Sequence, residues 1–131
     1  MELRNKTIVI TGASDGIGWH TALRLAKEGP HLILLGRDQT RLNTVKKLCE
    51  GNGAEKVDCY SFDLSDRNSA TDHLEKIRRN HKDIAILLNI AGIWQKKSDL
   101  DRLNHDEIEA IINTNLTGLI KVTNTLGSRV D

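Results

Sequence analysis

At 131 residues, this chain is long enough for one domain with a real hydrophobic core. Nineteen Lys and Arg against eighteen Asp and Glu leave it close to neutral, without the basic surplus of a nucleic-acid binder. No apolar run reaches membrane-spanning length and residues 1–6 carry no signal-peptide pattern, so a soluble, cytoplasmic protein is expected.

The first predicted strand is Thr7–Thr11, a short β-branched run that leads directly into Gly12-Ala13-Ser14-Asp15-Gly16-Ile17-Gly18. A helix follows over 17–27 and closes near Gly29-Pro30. The second strand, 31–35, is apolar throughout, as in a strand covered on both faces, and is followed by Gly36-Arg37-Asp38. The second helix sets Leu42, Val45, Leu48 and Cys49 on one stripe. The third strand is 56–62, and Asp63-Leu64-Ser65-Asp66 leads into a helix carrying Ala70, Leu74 and Ile77, with Ser65 or Asp66 as its cap. The fourth strand, 84–89, ends at Asn89-Ile90-Ala91-Gly92. A long helix over 106–126 repeats Ile108, Ile111, Ile112, Leu116, Leu119, Ile120 and Thr123 at spacings of three and four.

Four alternations of strand and helix predict an α/β fold. The expected form is a Rossmann-like, doubly wound parallel sheet of order 3-2-1-4, truncated after about four strands and spanning 1–131 as one dinucleotide-binding domain. A strand, three glycines and a helix start in immediate succession build a phosphate cradle. Gly12 makes the tight turn, Gly16 keeps side chains away from a pyrophosphate, and Gly18 lets the helix pack closely. An ATP-type phosphate loop would need Gly-Lys-Ser/Thr, whereas Gly18-Trp19-His20 stands here. Cys49 and Cys59 read as two buried thiols in a reducing compartment, and the histidines at 20, 31, 73, 81 and 105 are scattered, so no metal site is expected.

The pattern T-G-x-x-x-G-I-G resembles the short-chain dehydrogenase/reductase family, and the resemblance runs through the whole chain. It implies that Gly12, Ser14, Asp15, Gly16, Ile17 and Gly18 hold the cofactor's diphosphate. Where NAD-preferring members carry an acidic residue, Gly36 stands, and it is followed by Arg37, whose planar fork suits a 2′-phosphate. NADP is therefore the expected cofactor and NAD the alternative, with Asp15 a negative charge that moderates the preference. Asp63 and Leu64 match the pair beneath the adenine, and Asn89, Ala91 and Gly92 match the family's N-N-A-G segment, with Ile90 replacing its second asparagine.

Asn113-Thr114-Asn115-Leu116-Thr117-Gly118 resembles the helix segment carrying the family's catalytic asparagine, which maps to Asn115 and a proton relay. The resemblance implies hydride transfer between a nicotinamide and a small-molecule alcohol or carbonyl. The family's serine and Y-x-x-x-K find no counterpart among these residues, because Tyr60 is followed four positions on by Leu64. The chain alone is thus expected to be inactive, with a non-catalytic nucleotide-binding or dimerisation fragment as the alternative. Homo-oligomerisation through the last helix and an open sheet edge along Ile84, Ile86, Leu87 and Leu88 are expected. Trp94 is expected to cover the core, and Trp19 to lie near the exposed start of the first helix.

Overall fold

The computed structural model describes residues 2–93 and 102–130. Four parallel strands, β1 (Thr7–Thr11), β2 (His31–Gly36), β3 (Lys56–Ser61) and β4 (Ile86–Asn89), form one sheet in the order β3-β2-β1-β4. Between them run α1 (Gly16–Ala26), α2 (Gln39–Asn52) and α3 (Arg67–Asn80). α4 (His105–Ile112), a π-helical turn (Asn113–Gly118) and α5 (Leu119–Leu126) follow β4. The α/β sheet of order 3-2-1-4 is the one the strand-helix alternation predicts.

Side chains alternate across a strand, so the continuous apolar runs of β1 and β2 supply two cores at once. Ile8, Ile10, Leu32, Leu34 and Val57 pack with Ala22 of α1 and with Leu42, Val45 and Cys49 of α2. Val9, Ile33, Leu35 and Phe62 pack on the other face with Leu74 and Ile77 of α3 and Val122 and Leu126 of α5. Truncating one such fully buried aliphatic side chain to alanine costs about 2–5 kcal/mol. Asp38, Asp66 and Asn104 cap α2, α3 and α4 by accepting from Arg41 N, Ser69 N and Glu107 N.

Several expectations need correction. Leu48 is not part of the α2 core stripe but 44% exposed. The fourth strand begins at Ile86, and the edge beside it is partly occupied: Ile84 is fully buried, donates its N–H to Arg129 O (2.9 Å) and bridges Val130 in parallel. The long helix is not continuous, because it widens into the π turn at Asn113–Gly118. A Cβ on Gly118 would lie 2.9 Å from Asn113 O and 3.1 Å from Leu64 Cβ, so this turn presses against the loop after β3. Trp19 does lie near the start of α1, half-buried against the α1–α2 core, while the expectation for Trp94 lies outside the described residues.

The histidines are not all scattered. Parallel pairing sets His31 opposite Lys56, so Asp58, two residues further along β3, is its diagonal neighbour on the same face. His81, the C-cap of α3, closes on the pair. Burial pushes His81 below the ordinary imidazole range, and the nearby Asp58 carboxylate opposes that shift. Among the described residues no helix is long and apolar enough to cross a membrane.

Candidate dinucleotide-binding site

Strand ends place the site. β1 delivers the chain to Gly12, whose φ of +69° lies in the left-handed region that favours glycine. A Cβ there would stand 2.7 Å from Ala91 Cα, so the loop after β4 comes within backbone contact of the glycine turn. Thr11 fixes that approach: its Oγ1, 1% exposed as a residue, accepts from both Ile90 N and Ala91 N at 3.0 Å. Ala13 N–H donates to Leu35 O, which extends the β1–β2 ladder into the loop. A Cβ on Gly18 would overlap the Gly12 carbonyl, so Gly18 seats α1 under the turn. Gly16 also has positive φ (+54°), yet no described residue lies within 4 Å of its missing Cβ. Its freedom serves the open mouth of the loop, not packing.

Gly12, Ser14, Asp15, Arg37, Asp63, Leu64, Ala91 and Gly92 line one cleft at the carboxyl ends of the strands, together with Gly36, Phe62, Ile93 and Thr114. Open parallel sheets bind ligands at this end. Gly16 and Ile17 lie outside that lining, on a shallower surface with His20 and Thr21, and Ile17 is 74% exposed. Gly18 is buried beneath the turn. Asn89 also falls outside the lining, and its Nδ2 donates to Thr123 Oγ1 (3.2 Å) instead.

Polar groups of the cleft divide into committed and uncommitted ones. Asp63 Oδ1 accepts from Ser65 N (2.9 Å) and Ser65 Oγ (2.8 Å), and its second oxygen has no partner among the described residues. Asp15 precedes α1 without capping it by its side chain, so the amides of the first turn stay available to an anion. Its carboxylate lies 3.4 Å from Arg41 Nη1 instead. Arg37 is exposed, and its guanidinium enters no ion pair among the described residues. Gly36 is closely packed: a Cβ there would lie 2.9 Å from Ser14 Oγ and 3.2 Å from Leu42 Cδ2, so the strand end admits no side chain.

Asn115 stands next to this cleft. Its Nδ2 donates to Ile93 O and its Oδ1 accepts from Ile93 N, both at 2.8 Å, so one amide binds both backbone groups of one residue. The π turn swings Asn115 to that position, while Thr114 turns into the cleft. Thr114 is 5% exposed, and its Oγ1 is buried and without a hydrogen-bond partner among the described residues. An orphaned hydroxyl of that kind costs about 1–3 kcal/mol until a polar group meets it, which fits a ligand in the cleft. Sequence reasoning missed Thr11, Arg41 and Thr114. Capping spacing points to Asp38 and Arg41 only as a helix start, and nothing in one sequence signals a hydroxyl stranded by a π turn.

Away from the cleft, burial pushes the Cys49 and Cys59 thiols up to about 11, which keeps both protonated and unreactive. Tyr60 does not line the cleft, and its hydroxyl is 2.9 Å from His81 Nε2 instead.

The chain is similar to known proteins in sequence and in fold. The chain is 36% identical over 123 residues to the 3-oxoacyl-(acyl-carrier-protein) reductase of Thermotoga maritima, covering 94% of this chain and 49% of that protein. It is 34% identical over 122 residues to the NADP-dependent 3-hydroxy acid dehydrogenase of Schizosaccharomyces pombe, covering 92% and 47%. A metagenomic short-chain oxidoreductase solved in complex with NADP superposes with a TM-score of 0.86 at 26% identity, over 95% of this chain and 55% of that one. The chain thus spans about half the length of the curated relatives it matches. The short chain dehydrogenase profile matches residues 6–129, and by that match, on this sheet and glycine turn, the chain belongs to the short-chain dehydrogenase family.

Proposed function

We propose that this chain is the cofactor-binding part of an NADP-dependent oxidoreductase acting on a small alcohol or carbonyl compound. The observation that carries the reading is a glycine turn facing a helix start without a side-chain cap, with Arg37, unpaired among the described residues, at its rim. When bound, the nicotinamide gives or takes the hydride.

The chain's own residues then bind and orient. Free amides of the glycine loop and of the first turn of α1 hold the diphosphate, with the positive end of α1 behind it. Arg37 takes the 2′-phosphate, and Gly36 places no carboxylate there to repel it. Asp63 accepts from the adenine's exocyclic amine through its uncommitted oxygen, and the Leu64 backbone meets the ring. Ala91 and Gly92 let the nicotinamide-side ribose lie against the backbone, and Asn89 braces that segment from the end of β4. Asn115 fixes Ile93, so its contribution to a proton path is to hold the chain beside the reacting ring.

Titrating the purified chain with NADPH and NADH, followed by nicotinamide fluorescence, tests the reading. Saturable binding that favours NADPH supports it. A folded sample that saturates with neither overturns it. No NADPH oxidation is expected with small carbonyls, since no described residue supplies the acid of a Y-x-x-x-K pair. A second reading, self-association, is favoured by Ile112, Leu116 and Ile120, which are 48%, 53% and 57% exposed on the α4–α5 face. Sedimentation equilibrium separates it from a monomeric module.

A further inference from the structure

We propose that His31, Asp58 and His81 form a binding site for a divalent transition-metal ion of the zinc class, at the end of the sheet opposite the dinucleotide cleft. His31 is the first residue of β2, Asp58 the third of β3, and His81 the residue that ends α3. One ligand atom from each, a ring nitrogen or a carboxylate oxygen, lies within 4.8 Å of the other two. His31 Nε2 is already 2.7 Å from Asp58 Oδ2, and the two imidazoles meet edge to face at 5.5 Å between centroids.

Two imidazoles and a carboxylate are a recurrent donor set for zinc, and they leave a fourth position for water. With bonds of about 2.0–2.2 Å, a tetrahedral ion spaces its ligand atoms about 3.3 Å apart. The His31–Asp58 contact therefore opens slightly and the widest pair closes, both by small side-chain rotations. Nitrogen donors select zinc, cobalt or nickel over magnesium and calcium, which prefer an all-oxygen shell.

Neighbouring groups fit the same role. Thr7 Oγ1 faces His31 Nδ1 at 3.5 Å, on the far side of the ring from Asp58, where an outer partner orients a ligating histidine. The Tyr60 hydroxyl holds His81 Nε2 at 2.9 Å. Lys56 Nζ, 3.8 Å from Asp58 Oδ2, is the competing cation. It is 65% exposed and can swing into solvent, whereas both ligand histidines are only half-buried and open to an arriving ion. An ion here would tie the edge strand β3 and the end of α3 to β2. That role is structural and independent of the dinucleotide reading.

The test uses the purified chain after chelator treatment, titrated with zinc sulfate by calorimetry and with cobalt chloride by visible absorption. One equivalent of saturable binding, the d–d bands of tetrahedral cobalt, and a raised melting temperature are expected. Zinc should also shift the imidazole NMR resonances of His31 and His81. His81→Ala and Asp58→Asn should each weaken binding at least tenfold, and His20→Ala should leave it unchanged. The absence of saturable binding overturns the proposal, as does binding that leaves both imidazoles unperturbed. The NMR readout on the unsubstituted chain decides the matter even if a variant fails to fold, as judged by circular dichroism.

Discussion

Arg41 Nη1 lies 3.4 Å from Asp15 Oδ2, so the first turn of α2 reaches back to hold the one carboxylate in the glycine loop. The same guanidinium is 3.7 Å from Asp38, the cap of its own helix. Asp15 is thereby drawn from the amides it could otherwise cap, and its charge is partly offset where a 2′-phosphate would approach. The pair is well exposed, so its own worth is small.

Cofactor choice should follow from this pairing. Arg37→Ala is expected to weaken NADPH binding by about 1.5–3 kcal/mol, as for a charge-assisted contact, while sparing NADH. Arg41→Ala should weaken NADPH binding by less than about 1 kcal/mol, in a manner that vanishes at high salt and is restored by adding Asp15→Asn. Fluorescence titrations at two ionic strengths check both. Equal losses of the two cofactors on Arg37→Ala would remove 2′-phosphate recognition.

Gly12 and Gly16 share positive φ but differ in surroundings, and the difference should be measurable. Alanine in the left-handed region costs roughly 1–2 kcal/mol at either position. At Gly12 the methyl also meets Ala91 Cα at 2.7 Å, whereas at Gly16 it meets no described residue within 4 Å. Urea denaturation should therefore show Gly12→Ala as the more destabilised variant. Gly16→Ala should keep most of its stability and lose affinity for NADPH by about tenfold, or ~1.4 kcal/mol.

The two-point contact between Asn115 and Ile93 predicts a local effect. Asn115→Ala removes both hydrogen bonds, each worth about 0.5–1.5 kcal/mol. Amide exchange at Ile93 should accelerate sharply, with little change in the strands of the sheet. Asn115→Asp keeps the acceptor and loses the donor, so its exchange rate should fall between the two.

Cys49 and Cys59 predict the alkaline limit of stability. Their ordinary pKa is 9.0, and burial raises both to about 11 in the folded chain. Between those values the unfolded chain has released protons that the folded one keeps, so stability should fall as pH rises from 9 to 11. Replacing both by alanine should flatten that slope in urea titrations. At pH 8 neither thiol should react quickly with a disulfide reagent until the chain is denatured.

The sheet was legible because β1 and β2 carry apolar runs without alternation and each runs into a glycine, a pattern that needs cover on both faces. Gly12 was legible for the same kind of reason: a strand running into a glycine turn and a helix start leaves few conformations. Leu48 and the last helix were not, because periodicity reports which residues share a face, not whether another element covers it. Ile112 and Leu116 keep perfect helical spacing and remain in solvent.

Local chemistry, written residue by residue, determined the strand-helix order, the turn at Gly12 and the resemblance carried by the glycines. Contacts between distant segments were decided only in three dimensions. Parallel register brought His31 beside Asp58, the turn of α2 brought Arg41 to Asp15, and the π turn aimed Asn115 at Ile93 and Thr114 into the cleft. Such pairings depend on how whole elements stack and shift against one another, and sequence separation holds no record of that distance.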